Sequence, residues 1–100
     1  MKKEIVDHYG LIAQLDMCEE ECAELIKACS KYKRVMFPGY YANRKGTTPK
    51  EAYAAIVEEI AHVTNTLRSV QYLLGITDGD VESMIEASDN ITLDAMGHKV

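Results

Sequence analysis

The chain has 100 residues and a mass of 11.2 kDa, the size of one domain with a single core. Hydrophobic residues at 47% and charged residues at 27% exclude a disordered or fibrous chain, and two Pro, six Gly and no Trp argue against a many-turned β-sandwich. A net charge of −5 counts against bulk nucleic-acid binding, yet residues 31–50 carry six bases (Lys31, Lys33, Arg34, Arg44, Lys45, Lys50) and no acid.

The start, Met1-Lys2-Lys3-Glu4-Ile5-Val6, has a basic pair without the apolar run of a secretory signal. The longest apolar stretch, Ala52 to Val57, is far short of the roughly 20 residues of a membrane span. Cys18, Cys22 and Cys29 fall in one helical segment, which leaves Cys22 and Cys29 about 10 Å apart along the axis and disfavours a disulfide framework. A reducing, cytoplasmic location without membrane association is the expectation.

Leu11, Leu15, Cys18, Cys22, Leu25, Ile26 and Cys29 recur at a helical period. They predict one long helix ending near Arg34, bent at Gly10 after a short helical turn, with the Leu15–Cys22–Cys29 stripe as its core face. The connection Val35–Thr47 holds Phe37-Pro38-Gly39, Tyr40-Tyr41 and Asn43-Arg44-Lys45-Gly46, and loops of this length are often functional. Thr48 as N-cap, Pro49 at the first helical position and Glu51 completing a capping box start a second helix. Its stripe is Ala52, Ile56, Ile60, Val63, Leu67, Val70 and Leu74, and Gly75 ends it. A third segment begins near Thr77-Asp78-Gly79-Asp80, with Ser88-Asp89-Asn90 and Ile91-Thr92 weakening its middle. The expected architecture is all-α: one domain over residues 1–100, a helical hairpin plus a third helix. Its uncovered apolar faces call for assembly as a helical-bundle dimer or tetramer.

The acids are the informative feature. Glu21 and Glu24 lie beside the core stripe of the first helix, on a flank shared with Met17 and Ala28, and Glu59 lies at the edge of the second stripe with His62 and Thr66 next to it. Both pairs have i, i+3 spacing, which puts two ligating groups on one face. Antiparallel packing lets Glu21, Glu24, Glu59 and His62 converge, and such convergence is costly without a cation between the groups. A divalent metal resolves it, and carboxylates favour a hard ion such as Mg²⁺ or Mn²⁺. Taken singly, the Glu-rich turn reads as a solvated helix face and His62 as a satisfied, partly buried histidine. The conjunction of two such turns on two helices joined by a basic loop argues for metal.

Glu20-Glu21-Cys22-Ala23-Glu24-Leu25, followed by Glu58-Glu59-Ile60-Ala61-His62-Val63, resembles the MazG-like family of all-α nucleoside triphosphate pyrophosphohydrolases. The resemblance runs from about Leu11 to Leu74. It implies a bundle that assembles as a dimer or tetramer. It also implies metal-dependent hydrolysis of a nucleoside triphosphate to the monophosphate and pyrophosphate, in the manner of enzymes that clear non-canonical nucleotides. By position, Glu21, Glu24 and Glu59 match metal ligands of that family, and His62 stands where the family has an aspartate. Imidazole suits Mn²⁺ and softer divalent ions better than Mg²⁺. The Glu24-to-Glu59 spacing is longer than is usual, and where the family places basic and amide groups near the phosphates this chain offers Asn90 and no base until Lys99.

On this reading Glu20 or another acid orients the attacking water, and the sequence does not choose among them. Lys33, Arg34, Arg44 or Lys45 folds over the phosphates, and Tyr40 or Tyr41 stacks on a nucleobase. The plainer role of Lys33 and Arg34 is to complement the helix dipole, and that of the tyrosines is loop packing or a subunit contact. Three other classes compete: a catalytically weak or silent relative that binds nucleotide or protein, a di-metal redox protein built on Glu59-x-x-His62, and a nucleic-acid module using the basic loop.

Overall fold

A kinked helix, α1 (Lys3–Met36), begins the fold seen in a computed structural model that describes residues 1–43 and 45–97. Gly10, at φ 83° and ψ 178°, breaks its helical path, a backbone conformation essentially restricted to glycine. This is the expected bend. It swings the first two turns so that Val6 is buried beside the far end of the second helix. Arg44 and Lys99, two of the bases singled out in the sequence, lie outside the described residues.

The second helix, α2 (Pro49–Leu74), packs antiparallel against α1. Thr48 caps it by accepting from the Glu51 amide at 3.2 Å, as expected. The box is not reciprocal, however: the Thr48 hydroxyl donates to the Glu51 carboxylate at 3.0 Å, which leaves that carboxylate engaged with a side chain rather than with the Thr48 amide. Gly75, in the left-handed region at φ 68°, ends the helix. The Tyr72 hydroxyl donates to Asp7 Oδ2 at 3.1 Å, and Lys3 Nζ sits 5.4 Å above the Tyr72 ring, so α2's last turn is tied to the segment before Gly10.

The third helix, α3 (Asp78–Ala95), has the full reciprocal capping box between Thr77 and Asp80. It runs unbroken through Ser88–Thr92, the stretch expected to be weak, and Thr92 there spends its hydroxyl on the Ser88 carbonyl. It packs against neither α1 nor α2. Gln71 Nε2 donates to Asp78 Oδ1 across the corner at 3.2 Å. Met84 and Ile91 are each 72% exposed, and the radius of gyration is 17.5 Å, against about 13 Å for a compact chain of this length. The all-α architecture of hairpin plus third helix is as expected. No helix among the described residues is long and apolar enough to cross a membrane.

The seam between α1 and α2 differs from the expected stripes in a regular way. Its buried positions on α1 are Gln14 and Ala28, with Glu21 between them. On α2 they are Ala52, Val63, Thr66 and Ser69, with Glu59 half-buried. Gln14–Glu21–Ala28 precede Leu15–Cys22–Cys29 by one residue, so α1 is turned about 100° from its apolar stripe. On α2 the stripe residues Ala52 and Val63 stay buried, and the seam extends from them to Glu59, Thr66 and Ser69 at the stripe's edge. The reason is size and polarity. Small residues let the backbones approach, and the acids pair across the gap. Leu15, Ile26, Ile60 and Leu67 are left exposed on the flanks.

Candidate metal centre

Glu21 sits in the middle of α1, two turns from Gln14 on one side and from Ala28 on the other, so it enters the seam rather than flanking it. Glu59 faces it from α2. His62, one turn further along, is on the same side of that helix. The imidazole Nδ1 lies 3.2 Å from Glu21 Oε2 and 3.7 Å from Glu59 Oε1. The two carboxylates are largely covered, with 19% and 16% of their side-chain surface exposed, whereas His62 keeps 47%.

These three residues each offer a ligand atom within 4.8 Å of the others. That spacing is close to the ~4.2 Å that two ligands span across a metal when each sits about 2.1 Å from it. Glu21 Oε2 and Glu59 Oε2 are buried without a hydrogen-bond partner, although His62 Nδ1 stands 3.2 Å from the first of them. A buried carboxylate oxygen left unsatisfied is costly. Its cost is visible in Glu59: burial first, then the adjacent Glu21 carboxylate and the charge of Glu24, hold this carboxyl above its ordinary value, and His62 pulls it down only in part. A divalent cation would satisfy both oxygens at once. The donor set of two carboxylates and one imidazole fits Mn²⁺, Fe²⁺ or Zn²⁺ at least as well as Mg²⁺.

The other residues singled out in the sequence are placed differently. Glu24 is half-exposed and pairs with Lys27 at 3.2 Å on its own helix, outside the three-residue cluster. It nevertheless lines a cavity of about 360 Å³ with Glu59, so a swing away from Lys27 would bring it in, and an exposed pair of this kind holds by only about 0–1 kcal/mol. Glu20 is exposed, about 100° around the axis from Glu21. Asn90 lies on α3, which does not pack on the hairpin. Lys33 places its ammonium 5.2 Å from the centre of the Tyr41 ring. Arg34 lines the same cavity as Glu24 and Glu59.

Sequence reasoning gave Gln14, Thr66 and Lys31 no role in the seam or the site. Gln14 and Thr66 lie seven residues from Glu21 and Glu59, so heptad spacing from the acids would have marked them as seam residues. Lys31 is seven residues beyond Glu24 on one face of α1 and reaches the same cavity. Comparison with protein-family models, curated proteins and solved structures finds no match to the chain.

Proposed function

We propose that the protein is a divalent-metal-dependent nucleoside triphosphate pyrophosphohydrolase, with Glu21, Glu59 and His62 as the core of its metal centre and Glu24 as a ligand recruited on binding. The observation that carries this reading is the pair of buried carboxylate oxygens, one from each helix, left without a partner beside an imidazole nitrogen. The motif resemblance supplies the reaction, and the cavity shared by Glu24, Glu59 and Arg34 supplies room for a phosphate chain. When bound, the ion supplies charge neutralisation at the phosphates and acidification of a water molecule.

The chain's own residues then do the rest. Glu21 and Glu59, fixed by the seam, hold their oxygens in place without reorganisation, which is the condition for electrostatic catalysis. Exposed Glu20, next in sequence to Glu21, accepts a proton at the edge of the site. Arg34 meets phosphate with a planar fork of donors. Association into a dimer or tetramer belongs to the same reading, because Ile60, Leu67, Met84 and Ile91 are exposed on faces that a second copy would cover.

The test is pyrophosphate release from a panel of standard and modified nucleoside triphosphates with Mg²⁺, Mn²⁺ and Co²⁺. Glu21→Gln and Glu59→Gln are expected to abolish release. No release by the wild-type protein under any condition overturns the enzyme reading. A second reading, a nucleotide-binding relative without turnover, is favoured by one observation: His62 Nδ1 already stands against both carboxylates. The imidazole thus contacts both carboxylates without a metal between them. His62→Asp separates the two, since a silent parent whose His62→Asp variant hydrolyses would identify histidine as the block.

A further inference from the structure

The basic middle of the chain is not spread over the surface. Lys31 and Arg34, half-buried on the last turns of α1, and Lys45 from the loop line two adjoining cavities in common. One, of about 360 Å³, has Glu24 and Glu59 at its other end. The second, of about 610 Å³, continues under the loop past Tyr40, Tyr41 and Asn43. Lys27 is engaged by Glu24 and Lys33 by the Tyr41 ring, but among the described residues no carboxylate lies within ion-pair distance of Lys31, Arg34 or Lys45.

Three cations gathered with no carboxylate paired to them repel one another, and the walls of a cavity sharpen that field. A compact polyanion relieves the repulsion. Arginine's planar fork matches phosphate oxygens, and lysines add point charges. An isolated polyanion would be repelled by Glu24 and Glu59 at the acidic end, so the two ends of the cavity favour a ligand with one face on a dication and the other on these bases.

We propose that Lys31, Arg34 and Lys45 form a seat for a diphosphate group, the β and γ phosphates of the triphosphate that leave as pyrophosphate. The proposal rests on the reading of Glu21, Glu59 and His62 as a metal centre, and it fixes the direction in which substrate lies: outer phosphates toward the loop, the scissile bond beside Glu59. Hydrolysis forms a bond from the water oxygen to the α-phosphorus and breaks the bond from that phosphorus to its bridging oxygen. The electron pair leaves on pyrophosphate, whose new charge this seat meets, and the water's proton passes to Glu20 and from there to solvent.

The experiment is calorimetric titration of the full chain with inorganic pyrophosphate and with orthophosphate, in EDTA and again in Mg²⁺. Pyrophosphate should bind more tightly than orthophosphate, and the double variant Lys31→Ala, Lys45→Ala should weaken it at least tenfold with unchanged helicity. Lys50→Ala, outside both cavities, should leave the affinity unchanged. Metal-free pyrophosphate binding should survive Glu59→Gln, so a failed metal centre and a failed seat give different results. If no triphosphate is hydrolysed while pyrophosphate still binds and is lost in the double variant, the seat stands and the hydrolase reading falls. Equal pyrophosphate affinity in the wild type and the folded double variant overturns the seat. So does a single-stranded oligonucleotide that binds more tightly than pyrophosphate and is weakened by the same substitutions, which would make the surface one for nucleic acid.

Discussion

His62 Nδ1 of α2 stands 3.2 Å from Glu21 Oε2 of α1, and this contact across the hairpin joins two motifs that are 41 residues apart. It places an imidazole where a third carboxylate, beside those of Glu21 and Glu59, would make the site harder. His62→Asp is therefore expected to shift metal preference from Mn²⁺ toward Mg²⁺ by about tenfold, or about 1.4 kcal/mol. Parallel titrations of both ions into both proteins give the ratio, and an unchanged ratio would remove His62 from the ligand set.

Metal binding and stability are linked, because an ion that binds only the folded hairpin stabilises it. At 100 times the dissociation constant the gain is about 2.7 kcal/mol, a rise in Tm on the order of 10 °C for a chain of this size. Scanning calorimetry with Mn²⁺ should show the rise, EDTA should reverse it, and Glu21→Gln should not show it.

Gly10 carries α1's bend at φ 83° and ψ 178°. Nothing stands within 4 Å of where a Cβ would sit, so the cost of Gly10→Ala is backbone strain and not collision. The expected loss is about 1–3 kcal/mol, read as a lower urea midpoint. A variant as stable as the parent would mean that the helix straightens through this point without penalty.

Tyr72 gives the alkaline side of the stability profile. Its hydrogen bond to Asp7, followed by burial and the charges of Asp7 and Glu4, holds its phenol above the usual value of 10.0. A folded-state value raised above the unfolded one means that the stabilisation is complete below about pH 10 and is lost as pH rises through the folded value. Urea midpoints measured from pH 8 to pH 11 should fall at the alkaline end for the wild type. Tyr72→Phe should be less stable at pH 8 and lose that part of the slope.

The exposed stripe also makes a prediction. Replacing Ile60 and Leu67 with Glu should convert an associated species to a monomer in sedimentation equilibrium, with α-helical content reduced where α3 depends on a second copy. A wild-type protein that sediments as a monomer at every concentration would leave these faces without a role in assembly.

Much of the fold was legible in the sequence because it is locally encoded. The Thr48-Pro49 start, the Thr77–Asp80 box, the glycine stop at Gly75 and the bend at Gly10 each act through residues within a turn of one another. The pairing of Glu21 with Glu59 and His62 was legible too, since i, i+3 spacing on two antiparallel helices leaves few ways to arrange them. Glu24 shows the limit: its spacing is as good, but Lys27 one turn away offers a cheaper partner on its own helix.

What the sequence by itself determined is the set of helices, where they begin, and two of the three acids expected to face inward, Glu21 and Glu59. The tertiary structure decided which face of each helix the seam uses. Hydrophobic periodicity marks the stripe that avoids water, but it cannot say whether a neighbouring helix of this chain or another surface covers that stripe. Here α1 presents a face one residue, about 100°, away from its stripe and α2 presents the edge of its own, through Ala28, Ala52, Thr66 and the facing carboxylates, because small side chains permit close approach. The same rotation sets Lys31 and Arg34 over the cavity that ends at Glu59, giving the basic middle of an acidic chain a place that charge counting alone could not assign.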